Sequence, residues 1–179
     1  MAKKIWQKFK ENKNLQFEII ALVLITIFSI AISPKSLQND TFYTIKIGEH
    51  ITNNGIDMKD SFSWHEGLKY TYPHWLYDCL MYGIYLIGGF DAIYISTCAL
   101  SAILGICIYK VNSKLAGNKI FSFIITIGSM YLLKGYIAAR AQLVTFILFI
   151  LELLFIERFL EGKKKRYAFR TGINITSNR

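Results

Sequence analysis

The sequence predicts an all-α integral membrane protein with about four transmembrane helices, an interfacial helix and a large extracytoplasmic loop after the first helix. Hydrophobic residues make up 53% of the 179 residues and the mean hydropathy is +0.33, above the roughly 45–50% apolar usage of soluble domains. The apolar residues form long runs with almost no charge, and these runs lack the alternation of a barrel strand. The basic residues fall between the runs, as in multi-pass proteins.

Four segments are predicted to cross the membrane, because each is mainly apolar and a spanning helix needs about 20 such residues. Within a predicted membrane domain of residues 1–166, they are residues 17–33, 91–110, 119–136 and 139–158. The first run follows a basic stretch as in a signal peptide, but no small-residue cleavage site follows Ile32. An uncleaved first helix is therefore predicted.

The charge pattern predicts the topology of the chain. If each run crosses once, three basic clusters face the same side, which the positive-inside rule assigns to the cytoplasm together with both termini. The net charge of +9 is then a topology signal, and no nucleic-acid partner is expected. The clusters are Lys3, Lys4, Lys8, Lys10 and Lys13; Lys110, Lys114 and Lys119; and Lys163, Lys164, Lys165 and Arg166.

Residues 34–73 form the predicted extracytoplasmic loop. Asp40 is a predicted cap of a short helix that stops at Asn54-Gly55. The following residues 56–72 are rich in aromatic side chains, which favours an ordered loop against the lipid headgroups.

Residues 74–87 are apolar and aromatic, but they number only 14, too few for a full span. A crossing here would also place the second basic cluster outside. An interfacial or re-entrant helix before Gly88-Gly89 is therefore predicted.

Beyond the third run, Lys134, Gly135 and Tyr136 predict a tight outer turn, and Arg140 lies near the outer end of the fourth helix. Glu152 falls inside the fourth run, where a carboxylate is expected to face a bundle, a partner or a water-filled cavity, unless it lies nearer the inner interface. Residues 167–179 form a polar tail without apolar periodicity. We expect this tail to come from a truncation such as a frameshift or an early stop.

The loop gathers the titratable side chains that can carry chemistry. They can supply a general base or a divalent-cation site, although each also has an ordinary structural reading as a solvated, capping or turn residue. Catalytic and phosphate-binding motifs of soluble enzymes are absent from the sequence, and the histidine and cysteine spacings match no metal site. No metal ligand and no cofactor are assigned, and a divalent cation is left open.

Six short segments in order resemble the N-terminal part of type C polytopic glycosyltransferases. The resemblance covers roughly residues 17–166 and is to bacterial membrane proteins grouped with the lipopolysaccharide-sugar and dolichyl-phosphate-mannose transferases. The segments are N-D-T-F-Y at Asn39–Tyr43, I-G-E-H-I at Ile47–Ile51, N-G-I-D at Asn54–Asp57, D-S-F-S-W at Asp60–Trp64, H-W-L-Y-D at His74–Asp78 and A-R-A-Q at Ala139–Gln142.

The resemblance implies a catalytic carboxylate just after the first helix, which falls on Asp40, and a cation for the donor phosphate, which falls on Arg140. The family's usual arginine-proline pair is Arg140-Ala141 here. Asp60, His65 and His74 are then expected to shape the acceptor side. The implied partners are membrane lipid and a polyprenyl-phosphate-linked sugar, and the implied location is the bacterial plasma membrane.

These expectations lead to one hypothesis and two alternatives. The hypothesis is the N-terminal portion of a polyprenyl-phosphate-sugar-dependent glycosyltransferase, inactive alone if the rest of the enzyme is missing. The main alternative is a non-enzymatic small membrane interaction protein, and a transporter built around Glu152 is the third. The sequence leaves the oligomeric state, the sugar and the acceptor open.

Overall fold

Five helices and one 3₁₀ turn make up the part of the chain that the structure describes. The computed structural model describes residues 13–60 and 62–171, with side chains to residue 163. Across these residues the only extended pairing is one antiparallel bridge, between Lys59 and Lys69, so the all-α prediction is confirmed. The helices are α1 (Lys13–Ile32), α2 (Asn39–Asn54), α3 (Trp75–Ala116), α4 (Lys119–Leu133) and α5 (Ala141–Thr171), and the 3₁₀ turn is Lys134–Tyr136.

Two of these helices, α1 and α3, are long and apolar enough to cross a membrane, which indicates a membrane protein. Helix α4 has 15 residues, and α5 carries Glu152 and Glu157 among its apolar residues. Four crossings and an extracytoplasmic loop stay predictions.

Helix α3 is two helices joined at a break. Its 42 residues would extend about 63 Å at 1.5 Å per residue, about twice the hydrocarbon thickness of a bilayer. Gly88 and Gly89 leave the helical conformation, and Gly89 has φ 59° and ψ −146°, a conformation that glycine adopts without steric cost. The first arm (residues 75–87) coincides with the predicted interfacial helix, and the second arm (residues 90–116) contains the predicted second span.

The bundle is built around α3, which contacts each of the other four helices. Small and polar side chains lie between the helices, whereas α1 exposes large apolar side chains such as Ile20, Val23 and Ile27. The Ser101 hydroxyl donates to the Ser29 carbonyl oxygen at 3.3 Å. A water-soluble bundle has the reverse distribution, and small residues between helices with apolar residues outside are typical of membrane bundles.

The first arm of α3 runs antiparallel to α2. Phe42 near the start of α2 contacts Phe90, with ring centroids 5.3 Å apart, and Gly48 in the middle of α2 packs on the backbone of Asp78. An apolar cluster of Ile45, Met81, Ile93 and Ala139 holds this helix pair against the bundle. The two antiparallel helices therefore form a headpiece at the Pro34 end of the bundle.

The opposite end of the bundle contains ion pairs. Lys114 lies 3.0 Å from a Glu157 carboxylate oxygen, and Lys119 pairs with Glu18. Two of the lysines that predict the topology thus have carboxylate partners on the same side of the bundle. Lys3, Lys4, Lys8 and Lys10 lie outside the described residues.

The ends of two helices bear on the sequence predictions. The prediction that Asp40 caps α2 is wrong: Gln38 occupies the N-cap position without a side-chain capping bond, and Asp40 lies in the first turn. The predicted stop is confirmed, because Gly55 has φ 78° and its N–H donates to the Ile51 carbonyl oxygen at 2.8 Å. Helix α5 continues to Thr171, so the predicted polar tail of residues 167–179 begins inside a helix and ends outside the described residues.

Candidate functional site

A cleft of about 310 Å³ lies between the headpiece and the start of α5. Helix α2 forms one wall, the first arm of α3 forms the floor, and Arg140 lies at the exposed mouth. The lining residues used below are Asp40, Tyr43, Thr44, Tyr70, His74, Tyr77, Asp78 and Arg140.

The cleft brings together Asp40 and Arg140, which are 100 positions apart in the sequence. The Arg140 guanidinium lies 2.6 Å from a carboxylate oxygen of Asp40, and their side chains keep 41% and 64% of their exposure. Because an exposed ion pair is worth only about 0–1 kcal/mol, a bound anion can compete for the guanidinium at low cost. The Arg140 Nε atom is buried and finds no hydrogen-bond partner among the described residues.

Local packing places these two side chains. The segment Ile137, Ala138 and Ala139 before Arg140 is buried, and the arginine that follows it lines the cleft. Thr41, next to Asp40, is fully buried and its hydroxyl donates to the Ala139 carbonyl oxygen at 3.4 Å. This bond ties the first turn of α2 to the segment that carries Arg140.

Arg140 directly precedes the N-terminus of α5. The partial positive charge of a helix N-terminus disfavours a neighbouring cation and favours an anion. A cation held there by a single exposed carboxylate is therefore suited to an anionic ligand.

Asp78 forms the floor of the cleft and is 4% exposed. Burial raises the pKa of this carboxyl group to about 6, while nearby His74 and a hydrogen bond from the Thr44 hydroxyl act in the opposite direction. The burial depends on Gly48: a Cβ atom at that position would lie 2.1 Å from the Asp78 carbonyl oxygen. The two carboxylates of the cleft thus have different environments, one exposed and ion-paired and the other buried.

Tyr77 is next to Asp78 and also lines the cleft. Its hydroxyl oxygen is buried without a hydrogen-bond partner in the described part of the chain. Buried hydroxyl groups are usually paired, so this atom holds unused hydrogen-bonding capacity at the edge of the cleft.

The structure separates the three residues expected on the acceptor side. His74 lines the cleft, but Asp60 and His65 line a second cavity of about 910 Å³ in the loop. One Asp60 oxygen accepts from the backbone N–H groups of Phe62 and Ser63, both at 3.1 Å, so this carboxylate stabilises its own turn. His65 is exposed beside Trp64.

A polar cluster fastens the loop to the end of α2. The Tyr72 hydroxyl lies 2.9 Å from both an Asp57 oxygen and the Lys59 carbonyl oxygen, and its single proton is shared between these two acceptors. His50 lies 3.3 Å from the other Asp57 oxygen. Burial, followed by the bond to Asp57, raises the pKa of Tyr72 to about 12. The backbone N–H of Lys59 and the Tyr72 hydroxyl hold the pKa of Asp57 below its usual value.

Sequence reasoning assigned no role to Tyr77 or Asp78. The available signal was a carboxylate inside an apolar, aromatic segment, which usually has a specific partner. Among the residues described, no three histidine, cysteine or carboxylate side chains come close enough to hold a metal ion.

Comparison of the chain with protein-family models, with curated proteins and with solved structures found no match.

Proposed function

We propose that this chain is the N-terminal portion of a membrane glycosyltransferase that moves a sugar from a polyprenyl-phosphate carrier to an extracytoplasmic acceptor. The observation that carries the proposal is the contact between Asp40 and Arg140 at the mouth of the cleft. These are the two residues on which the type C resemblance places the base and the phosphate-binding cation.

The proposed membrane arrangement has four crossings, with both termini in the cytoplasm of a bacterial cell. The cleft then opens on the outer face, at the headgroup level where a lipid-linked phosphate lies. The exposed apolar surface of α1 and the lysines at the opposite end of the bundle support this orientation.

In the proposed reaction Asp40 is the general base. It takes the proton of an acceptor hydroxyl while the oxygen attacks the anomeric carbon of the sugar. The bond from that carbon to the phosphate oxygen breaks, and the polyprenyl phosphate leaves with the electron pair. Arg140 stabilises the charge that develops on the leaving phosphate, through hydrogen bonds from its guanidinium.

Donor binding tests the role of Arg140. The full chain is placed in lipid nanodiscs and titrated with a panel of radiolabelled polyprenyl-phosphate-linked sugars. Arg140→Gln is expected to weaken binding at least about tenfold, since a charge-assisted hydrogen bond contributes about 1.5–3 kcal/mol. Lys134→Gln is the matched control, because this exposed lysine lies six residues away and does not line the cleft. Equal binding by the two variants would refute the assignment.

Donor consumption tests the role of Asp40 in the complete enzyme of which this chain is the proposed N-terminal portion, in host membranes that also contain the acceptor. Asp40→Asn is expected to retain binding but to release no polyprenyl phosphate, whereas Glu49→Gln, a carboxylate change on the same helix outside the cleft, keeps the wild-type rate. Wild-type release that survives Asp40→Asn contradicts general-base catalysis by this residue.

The alternative of a non-enzymatic interaction protein is favoured by one observation, the position of Glu152. This carboxylate is exposed on α5 with exposed Leu148, Phe149, Phe155 and Ile156 around it. A carboxylate on such a face requires a polar partner in a bilayer. Crosslinking from position 156, one turn further along the same exposed face, tests this candidate in host membranes: a defined partner that is lost in Glu152→Leu supports it, and lipid adducts alone oppose it.

A further inference from the structure

We infer that the buried end of the cleft is a subsite for one sugar ring, in which the Tyr77 hydroxyl and the Asp78 carboxyl group form hydrogen bonds with ring hydroxyls. This inference rests on the proposed function and goes beyond it, because it names the groups that distinguish a glycosylated donor from a bare lipid phosphate.

The first argument is the position of unused hydrogen-bonding capacity. The Tyr77 hydroxyl oxygen is buried and has no partner among the described residues, and an unpaired buried hydroxyl costs about 1–3 kcal/mol. Asp78 is buried beside it and accepts from Thr44, yet a carboxylate has about four acceptor sites. The floor of the cleft therefore offers one donor and several acceptors, the combination that neighbouring hydroxyls of a sugar ring require.

The second argument is the size of the cleft. A volume of about 310 Å³ lies at the small end of the range for ligand pockets, about 300–1,000 Å³. It suits a phosphate with one ring, and a polyprenyl chain or an oligosaccharide would extend beyond it. The lining is also aromatic, with Tyr43 and Tyr70 at 6.2 Å between ring centroids, so the apolar face of a ring has surfaces to pack against.

The third argument is the order of groups along the cleft. Arg140 stands at the mouth with an exposed ion pair, whereas Tyr77 and Asp78 stand at the buried floor. A phosphate on Arg140 therefore directs its attached ring inward and leaves its lipid outside. A ring attached to the acceptor has no such anchor, which assigns the floor to the donor sugar.

The experiment compares two short-chain probes, citronellyl phosphate and citronellyl-phosphoryl-hexose, in a panel of common hexoses. Each probe is titrated into the full chain in nanodiscs, and the ratio of the two dissociation constants measures the contribution of the sugar. We expect at least one hexose to bind about tenfold more tightly than the bare phosphate. Tyr77→Phe is expected to lower that ratio about three- to tenfold, because it removes one neutral hydrogen bond.

Asp78→Asn is expected to lower the ratio about tenfold or more, since a bond to a charged group is stronger. Tyr77→Phe is expected to leave the affinity for citronellyl phosphate unchanged, and Asp78→Asn is expected to keep or raise it, because the change removes a negative charge from the cleft. The matched controls are Tyr109→Phe, which removes another buried hydroxyl without a partner in the described residues, and Asp91→Asn, an exposed carboxylate on the same helix. Tyr77→Phe removes a single oxygen atom, so it tests the subsite independently of Asp78→Asn.

The outcomes separate the two proposals. A wild-type chain that binds both probes equally, or variants that weaken both probes equally, overturns the sugar subsite and leaves the phosphate role of Arg140 standing. A wild-type chain that binds neither probe overturns the proposed function and this inference together. A sugar-dependent loss confined to the Tyr77 and Asp78 variants supports both.

Discussion

Replacing Asp78 by Asn is expected to stabilise the protein at neutral pH, although the residue lies in the candidate site. Burial raises the pKa of this carboxyl group from 3.8 to about 6, and one pKa unit corresponds to about 1.4 kcal/mol. The ionised form therefore costs about 3 kcal/mol above pH 6. Asparagine has the same shape, carries no charge, and keeps an oxygen that accepts from Thr44.

The pH dependence has a defined sign. Well below its unfolded pKa of 3.8 the carboxyl group is protonated in the folded and unfolded chains, so its burial costs little. As the pH rises through 4 to 6, the unfolded chain ionises first, and the wild-type free energy of unfolding falls by up to about 3 kcal/mol. Asp78→Asn removes this component, and its advantage over the wild type is complete above pH 7.

The assay is unfolding of the full chain in a nonionic detergent between pH 4.5 and 8, with Asp91→Asn as the exposed carboxylate control. The expected result is a stability difference between Asp78→Asn and wild type that grows with pH. A difference that stays constant with pH, or an Asp78→Asn variant that is less stable than the wild type at pH 8, would falsify the reasoning. A gain in stability together with a loss of sugar binding is typical of substitutions in a functional site.

Three further predictions concern the headpiece and its loop. Gly48→Ala is expected to lower the free energy of unfolding by about 3 kcal/mol or more, because the new Cβ would lie 2.1 Å from the Asp78 carbonyl oxygen. Thermal unfolding compares this variant with Gly83→Ala, where a Cβ has open space. Equal losses of stability in the two variants refute the prediction. Tyr72→Phe is expected to lower the local stability of the loop by about 1 kcal/mol, because it removes the hydroxyl that donates to Asp57. The expected result is faster protease cleavage in the loop than in Tyr136→Phe. An unchanged cleavage rate contradicts the prediction. Since the pKa of Asp57 is held below its usual value, its contribution is present at neutral pH and is lost as the pH falls through that lowered pKa; loop cleavage at acid pH by an acid-active protease is expected to rise in wild type but not in Asp57→Asn.

The sequence predicted the helical class and the residues that meet at the mouth of the cleft. Long charge-free runs predict helices in hydrocarbon without any tertiary information. Asp40 and Arg140 were selected by their places in short motifs, and the structure brings them to 2.6 Å. The Gly55 stop was also predictable, because it depends on one residue with positive φ.

The floor of the cleft was not predictable from one sequence. Asp78 is buried because the first arm of α3 turns back along α2, and that contact depends on Gly48 thirty positions earlier. Local patterns give no indication of which face of the arm meets α2. Asp60 was expected on the acceptor side of the site. In the structure one of its carboxylate oxygens accepts hydrogen bonds from the N–H groups of its own turn instead.

The seam of small residues between α1 and α3 has a consequence for biogenesis. Gly105 faces Ile25 and Ser29 so closely that a Cβ would lie 2.8 Å and 2.9 Å from their side-chain atoms. Lipid tails solvate apolar side chains as well as a neighbouring helix does, so association within a bilayer depends on this close fit. In the proposed topology α1 therefore enters the membrane as an independent segment before α3 is synthesised, and the two helices associate afterwards. A bulkier residue at position 105 would leave both segments inserted but unassembled, a state visible to membrane proteases and not to an assay of insertion.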